Sequence, residues 1–496
     1  MTVEDKGRLS FVIYNLNIMD LNKIKKVHII GIGGIGISAV AKLLLEVGKK
    51  VTGSDLHDSE LIQVLQNFGA DIKIGPHKAA NVTKDINLVI YTDAAPEDNP
   101  ERVQAKKLKI ESLSYFQFLG KYSQTKYTIA ISGCHGKTTT TALTGLILDK
   151  ANLDPTVIVG SKVKNWDGNL RIGGSEYLVV EGDEYKAHML ELNPKAIILT
   201  NLEFDHPDYY KDLNHYIETF QEFVNKLPQD GYLIYNLDDQ NLHERLEKPN
   251  CHVLNFSLTN QAADLYAKNI KIDHGRQIFR PVYKGQDLKD FNLQVPGQFN
   301  ISNALGASLL ALELGISQDV IKDTLAQYAG AWRRFELIGR ISKLTPDKNG
   351  ALVVSDYAHH PTEVAKTIAA AKEFYPDKRL LVVFQPHQIQ RTRELFDDFV
   401  KVFSQNPADV VILSEIYDVA GREEKDVTKR VSSEDLLDKI VQVESKKLIK
   451  GITPSLYYYA NNLEETKAKI LTEVQSNDVV LILGAGDIDK IARELV

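Results

Sequence analysis

The residues best suited to chemistry lie in the run Ser132-Gly-Cys-His-Gly-Lys-Thr-Thr-Thr-Thr141. Glycines at 133 and 136 permit a tight turn whose backbone N–H groups converge on one concavity, and a helix starting just beyond adds its positive end. That combination binds phosphate. Gly133, Cys134, His135, Gly136 and Thr139 would frame the site, Lys137 would neutralise the outer phosphates, and Thr138 would offer its hydroxyl to Mg²⁺. The turn is shorter than the common phosphate loop, which needs a glycine where Ile131 stands. A second set of candidates is acidic. Val179-Val-Glu-Gly-Asp-Glu184 ends one apolar run and Asn201-Leu-Glu-Phe-Asp-His206 follows another. Mg²⁺ is a hard ion that takes carboxylate and phosphate oxygens together. Glu181 would serve one metal ion, and His206 a second ion or its water.

These groups need rigid supports, and the apolar runs provide them. Tyr127–Ile131, Tyr177–Val180 and Ala196–Leu199 read as strands buried on both faces, with polar residues at their carboxyl ends, where α/β sheets hold ligands. Residues 139–151 read as the helix after the phosphate turn. Upstream, Lys26–Ile30 leads into Gly31-Ile-Gly-Gly-Ile-Gly36, a helix over 38–46 and a strand Lys50–Asp55. Gly31, Gly33, Gly34 and Gly36 suit a pyrophosphate at a helix start, and Asp55 suits a ribose hydroxyl. Downstream, strands are expected at Ala351–Val354, Leu380–Phe384, Val410–Leu413 and Val479–Leu483, with helices over 361–374 and 393–403 between them. Strands alternating with helices imply an α/β fold of doubly wound sheets. The expected divisions are a tail over 1–18, a first domain over 19–124, a central domain over 125–331 and a third over 332–496. Met19 just before the first strand marks a possible alternative start of translation.

Composition narrows the rest. The chain has 496 residues, 43% of them hydrophobic and 25% charged, which excludes a largely disordered protein. Lys and Arg total 59 against 66 Asp and Glu, a net charge of −7. An acidic chain with no basic block suits neither nucleic acid nor an anionic membrane surface. No apolar stretch is long enough to span a bilayer. Two cysteines, Cys134 and Cys251, cannot build a disulfide framework, so a reducing cytoplasm is expected.

Taken in order, these motifs resemble the Mur ligase family. The C-terminal third adds Asp356-Tyr-Ala-His-His-Pro-Thr-Glu363, Phe384-Gln-Pro-His387 with Arg391-Thr-Arg393, and Gly484-Ala-Gly-Asp487. The set is most similar to the branch of that family that joins L-alanine to UDP-N-acetylmuramate, and it extends from about Lys25 to Val496. The resemblance implies three domains: a Rossmann-like domain for the UDP substrate, a central ATPase domain of phosphate-loop type, and a C-terminal Rossmann-like domain for the amino acid. It implies ATP and Mg²⁺ as cofactors and an acyl phosphate as intermediate. It makes Lys137, Glu181, His206, Arg334 and His360 candidate catalytic residues, with Thr138, Glu181 and His206 on metal. Asn300 and Asn303 match the adenine-side segment, and Arg333, beside Arg334, matches a nucleotide contact. Asp356, His359, Arg391 and Arg393 match the amino-acid side, with Asp356 for the ammonium group and the arginines for the carboxylate. In this family the Gly31–Gly36 turn holds UDP rather than a dinucleotide. A monomer or weak homodimer is expected.

Three features depart from the family pattern. Cys134 stands where threonine is usual, and a cysteine at a helix start beside Lys137 predicts a reactive thiol of lowered pKa. Thr92-Asp-Ala-Ala95 puts Asp93 near an anionic substrate, and Trp166-Asp-Gly-Asn169 alters another sugar-side segment. Three other readings stay open. A ligase of the same family that attaches a whole peptide in wall recycling shares most motifs, and Glu184-Tyr185 and Leu202-Glu-Phe204 lean that way. An NAD-dependent dehydrogenase would use the Gly31 turn but leaves the Gly133–Thr138 run unexplained. A non-catalytic nucleotide-binding regulator would not need Lys137, Glu181 and His206 together.

Overall fold

A computed structural model describes residues 21–166, 168–273, 275–342, 350–405, 408–418, 430–448 and 455–496. The expected tail over 1–18 and Met19 lie outside the described residues. The fold is α/β, with three sheets in two compact units.

The first unit comprises the described residues up to 127 together with 191–193. Its five strands are β1 (Lys26–Ile30), β2 (Lys50–Asp55), β3 (Asp71–Ile74), β4 (Leu88–Tyr91) and β5 (Glu111–Ser114). They run parallel in the order β3-β2-β1-β4-β5. The order reverses at β1, so the Gly31–Gly36 turn sits at the switch point where such sheets open a crevice. The helix Ile35–Glu46 begins at Gly34 with no side-chain cap. Beneath the sheet, Glu101 is fully buried and accepts hydrogen bonds from Ser54 Oγ at 2.5 Å and Asn81 Nδ2 at 2.6 Å, with His28 Nε2 at 3.2 Å. Burial works against its charge, but His28, Ser54 and Asn81 hold the carboxyl down to about 2.

The second unit holds the other two sheets. The central one is built from β6 (Tyr127–Ser132), β7 (Thr156–Val163), β8 (Gly168–Arg171), β9 (Tyr177–Glu181), β10 (Ala196–Leu199), β11 (Tyr232–Asn236), β12 (His252–Ser257), β13 (Leu265–Asp273), β14 (Arg276–Tyr283), β15 (Gln286–Asp287) and β16 (Phe291–Leu293). Its order is β15-β14-β13-β12-β11-β10-β6-β9-β7-β8, with β16 on β14. Strands β10, β6 and β9 are the buried runs legible in the sequence. The β7-β8 pair adds an antiparallel edge, and in β13 and β14 buried residues alternate with more exposed ones, several of them charged, so no continuous apolar run marks them.

The third sheet contains β17 (Glu336–Arg340), β18 (Leu352–Asp356), β19 (Arg379–Phe384), β20 (Val410–Ser414), β21 (Leu456–Ala460) and β22 (Asp478–Leu483), in the order β17-β18-β22-β19-β20-β21. Only β17 is antiparallel to its neighbour. Apolar clusters fill both faces of this sheet, one around Phe384, Phe399 and Phe403, the other around Val383, Ile412 and Ile491. Where the sequence predicts one helix over 393–403, the structure has two, Ile389–Glu394 and Phe396–Gln405, separated at Leu395. Helix Pro361–Phe374 lies where expected, started by a capping box in which His360 and Glu363 satisfy each other's first-turn amides. Among the described residues no helix is long and apolar enough to cross a membrane.

Glu101→Ala strands three buried donors at once, so it should destabilise the first unit by about 3–5 kcal/mol. Because the folded carboxyl lies near 2 against an ordinary 4.5, its contribution is present above pH 4.5 and fades as pH falls toward 2. Urea unfolding of wild type and variant at neutral and acid pH checks both: the gap between them should narrow in acid.

Candidate active site

The phosphate turn forms at the carboxyl end of β6, between β10 on one side and β9 on the other. Gly133 has φ +133, and a side chain there would strike Thr200 Oγ1. Gly136 has φ +84, and a side chain would strike Asn303 Oδ1. Glycine is therefore required at both positions. The turn is then pinned from the β10 side. Asn201 Oδ1 accepts from the His135 N–H at 3.0 Å, while Asn201 Nδ2 and Thr200 Oγ1 donate to the His135 carbonyl at 2.9 and 2.6 Å. The helix Lys137–Lys150 starts at Gly136 without a side-chain cap, leaving its first-turn amides for a ligand. Every residue from Thr138 to Leu148 is buried, and the hydroxyls of Thr140, Thr141 and Thr144 find no hydrogen-bond partner.

Lys137 Nζ reaches back over the turn, donating to the Gly133 carbonyl at 2.6 Å and to Glu184 Oε1 at 2.9 Å. Burial alone would discharge it, but Glu184 holds the ammonium group charged, above its ordinary range. Glu181, at the end of β9, accepts from the Gly160 N–H at 2.8 Å. Burial pushes its carboxyl up, against the pull of that amide, Lys137, Arg334 and the Thr138 hydroxyl. His206 has a left-handed backbone, φ +56, which turns its ring inward so that Nε2 lies 3.4 Å from Glu184 Oε1. Its Nδ1 is buried and unpartnered. Thr138, Glu181 and His206 thus stand around the turn, and the orphaned nitrogen suits a metal ion or its water.

A cavity of about 470 Å³ opens beside the turn. His135, Gly136, Thr139, Asn300, Asn303, Arg334 and Asp356 line it, as do Asp238, Asp239, Glu363 and Lys366. Asn303 Nδ2 donates to Asn300 Oδ1 at 3.2 Å, and Asn300 Nδ2 donates to the Pro296 carbonyl at 2.6 Å. Arg334 Nη2 lies 3.5 Å from the Thr138 hydroxyl. Its neighbour takes another path. Arg333 is buried, donates to the Gly484 carbonyl and faces the Tyr357 ring at 5.0 Å. Arg333, expected at the nucleotide, has a left-handed backbone, φ +55, and is tied to the C-terminal sheet through Gly484, whereas Arg334 lines the cavity.

The amino-acid side also differs in detail. Asp356 accepts from the N–H groups of Phe335 at 2.6 Å and Ala358 at 2.8 Å, yet burial raises its carboxyl to about 6. His359 is kept neutral, its pKa pushed down to about 4 by burial. His360 caps its helix and lies face-tilted on His135, ring centroids 5.0 Å apart. Arg391 is not free for a carboxylate: Nε and Nη2 both donate to Asp205 Oδ1, at 3.1 and 2.9 Å, with both residues buried. Arg393 is more open, with Glu394 at 3.7 Å. In the first unit, Asp55 Oδ2 accepts the Gly33 N–H at 2.8 Å, so this acid braces the glycine turn.

Two acids that sequence reasoning left aside prove central. His135 Nε2 lies 2.9 Å from Glu203 Oε2 and its Nδ1 lies 3.1 Å from Glu363 Oε1. Burial opposes a charge on this ring, but Glu363 and Glu203 raise its pKa to about 9. The signal for Glu363 was present as the fourth residue of a His-Pro-Thr-Glu cap. The signal for Glu203 was weaker, an acid two residues past Asn201.

Comparison with known proteins now decides the family. Residues 26–127 match the Mur ligase family, catalytic domain; residues 131–311 match the Mur ligase middle domain; and residues 333–486 match the Mur ligase, glutamate ligase domain. The UDP-N-acetylmuramate–L-alanine ligase of Clostridium novyi (strain NT) is 43% identical over 473 residues, 95% of this chain and 96% of that one. The chain belongs to the Mur ligase family. It is a ligase, and its three sheets are the three domains of that family. A crystal structure of the UDP-N-acetylmuramate–alanine ligase of Thermotoga maritima superimposes with a TM-score of 0.74 at 28% identity, covering 95% of this chain and 98% of that one. A murein peptide ligase from Psychrobacter arcticus shares the fold, with a TM-score of 0.67 at 24% identity over 95% of this chain and 98% of that one. Membership of this family removes the dehydrogenase reading of the Gly31 turn.

The reactive thiol expected at Cys134 is also corrected. Its Sγ is buried, donates to the Glu203 carbonyl at 2.7 Å and lies 3.1 Å from Tyr216 Oη. Burial, reinforced by Glu184, pushes the thiol well up. Native alkylation should therefore modify Cys251 and spare Cys134 until the protein unfolds; peptide mass mapping reads this directly. A second outcome concerns His135. Its folded pKa exceeds the ordinary 6.5, so its stabilising contribution is complete below that pH and is lost as pH rises through about 9. Thermal melts should show a fall in Tm over that window that His135→Asn flattens.

Proposed function

We propose that this ligase joins L-alanine to the carboxylate of UDP-N-acetylmuramate, with ATP cleaved to ADP and phosphate, in the synthesis of cell-wall precursors. The observation that carries the choice of substrates is the 43% identity, over 95% of this chain, to a Clostridium ligase named for that pair. The geometry supports the phosphoryl half of the reaction. A carboxylate resists amines because its leaving group would be an oxide, and transfer of a phosphoryl group supplies a better one. Such transfer is catalysed by positioning and by charge placed around the moving group.

In this reading Lys137, already charged and aimed over the turn, binds the transferred phosphoryl group. Thr138 and Glu181 would hold one Mg²⁺ and His206 a second. Mg²⁺ bound there supplies charge neutralisation of the phosphates. Asn300 and Asn303 flank the base, and Arg334 meets the phosphates from the C-terminal side. Alanine arrives as an ammonium ion and must lose a proton before it attacks. His359 is neutral and Asp356 titrates near 6, so both can take part in receiving that proton. Arg393 would meet the alanine carboxylate, since Arg391 is committed to Asp205. The glycine turn at Gly31–Gly36 would take the UDP. The domain limits fall near 124 and 331.

Phosphate release from ATP, with Mg²⁺ and UDP-N-acetylmuramate, should depend on L-alanine and give a product heavier by one alanyl residue. Release with an alanyl-glutamyl tripeptide but not with L-alanine would transfer the chain to the peptide-attaching branch. Lys137→Ala should lower kcat by about 10²–10³-fold, and because it leaves the buried Glu184 without its cation it should also lower Tm.

A further inference from the structure

His135, Glu203 and His360 come from three separate places: the phosphate turn, the segment after β10, and the cap of helix Pro361–Phe374. One ligand atom from each lies within 4.8 Å of the others. None belongs to the Thr138, Glu181 and His206 set assigned to Mg²⁺. We propose that these three side chains form a separate site for a borderline transition-metal ion, Zn²⁺ in the first instance.

The donor set is two imidazoles and one carboxylate, which favours zinc over magnesium. The spacing fits. Ligand atoms around a tetrahedral zinc, with bonds of about 2.0–2.1 Å, sit about 3.3 Å apart. Here His135 Nε2 lies 2.9 Å and His360 Nδ1 3.9 Å from Glu203 Oε2. The outward nitrogen of His135 and the outward oxygen of Glu203 are held by neighbours. Glu363 Oε1 lies 3.1 Å from the other nitrogen of His135, the carboxylate–imidazole arrangement that orients zinc-binding histidines. The Thr362 hydroxyl donates to the other oxygen of Glu203 at 2.7 Å, leaving Oε2 toward the rings. His360 is 4% exposed, and its Nε2 is buried without a hydrogen-bond partner. Its Nδ1 takes only a long bond, 3.3 Å, from the Thr362 N–H. A fourth position is left to water or substrate. Because the ligands span the central and C-terminal domains, zinc bound here would fasten the phosphate turn to helix Pro361–Phe374 and slow turnover.

The test is a Zn²⁺ titration of the full chain in excess Mg²⁺, read by competition with a chromophoric chelator, with Co²⁺ as a spectroscopic stand-in. One tight equivalent is expected, with the intense visible absorption of tetrahedral cobalt. Glu203→Gln and His360→Gln should each abolish it, and His206→Asn should retain it. Thr362→Val, which keeps all three ligands, should weaken binding about 10–100-fold. Absence of a tight equivalent would overturn the proposal, as would its persistence in both ligand variants, its loss in His206→Asn, or a weak octahedral cobalt spectrum. Because His360 also caps a helix, Glu203→Gln decides the matter if His360→Gln fails to fold.

Discussion

Everything in the second unit depends on a turn that has no room for side chains. Gly133 is closed in by Thr200 and Asn201, and Gly136 by Asn303. Strand β10 and the helix that carries Asn303 hold the turn's path. Lys137, Glu181 and His206 can be arranged around it because β6, β9 and β10 are neighbours whose carboxyl ends lie together.

The parts of the fold legible in the sequence are those governed by local pattern. Continuous apolar runs marked β1, β4, β6, β9, β10 and, in the third sheet, β18, β19, β20 and β22. The glycine turns and the acids just beyond strand ends marked where ligands go. What stayed hidden was set by distant partners. Arg391 looks like a carboxylate binder until Asp205, 186 residues earlier, is found against it. Cys134 looks activated by Lys137 and a helix start until the Glu203 backbone and Tyr216 enclose it. Arg333 and Arg334 are indistinguishable in sequence, yet one anchors a sheet and the other faces the cavity.

Charge pairing between the central and C-terminal domains follows one logic. Two contacts join an acid of the Asn201–His206 segment to a basic or hydroxyl group of the C-terminal domain: Asp205 with Arg391, and Glu203 with Thr362. His135 extends the pattern by bridging Glu203 and Glu363. The same short segment that pins the phosphate turn thus also receives the C-terminal domain, so nucleotide binding and domain position share their supports.

The helix behind the turn carries a different implication. Its threonine hydroxyls at 140, 141 and 144 are sealed in the interior with no hydrogen-bond partner among the described residues, and each such group costs about 1–3 kcal/mol. This part of the protein is accordingly less stable than its packing would allow. Replacing a hydroxyl there by a methyl of similar shape would recover part of that deficit without touching Lys137 or Thr138. The ligase therefore holds an unused reserve of thermal tolerance directly behind its most constrained element.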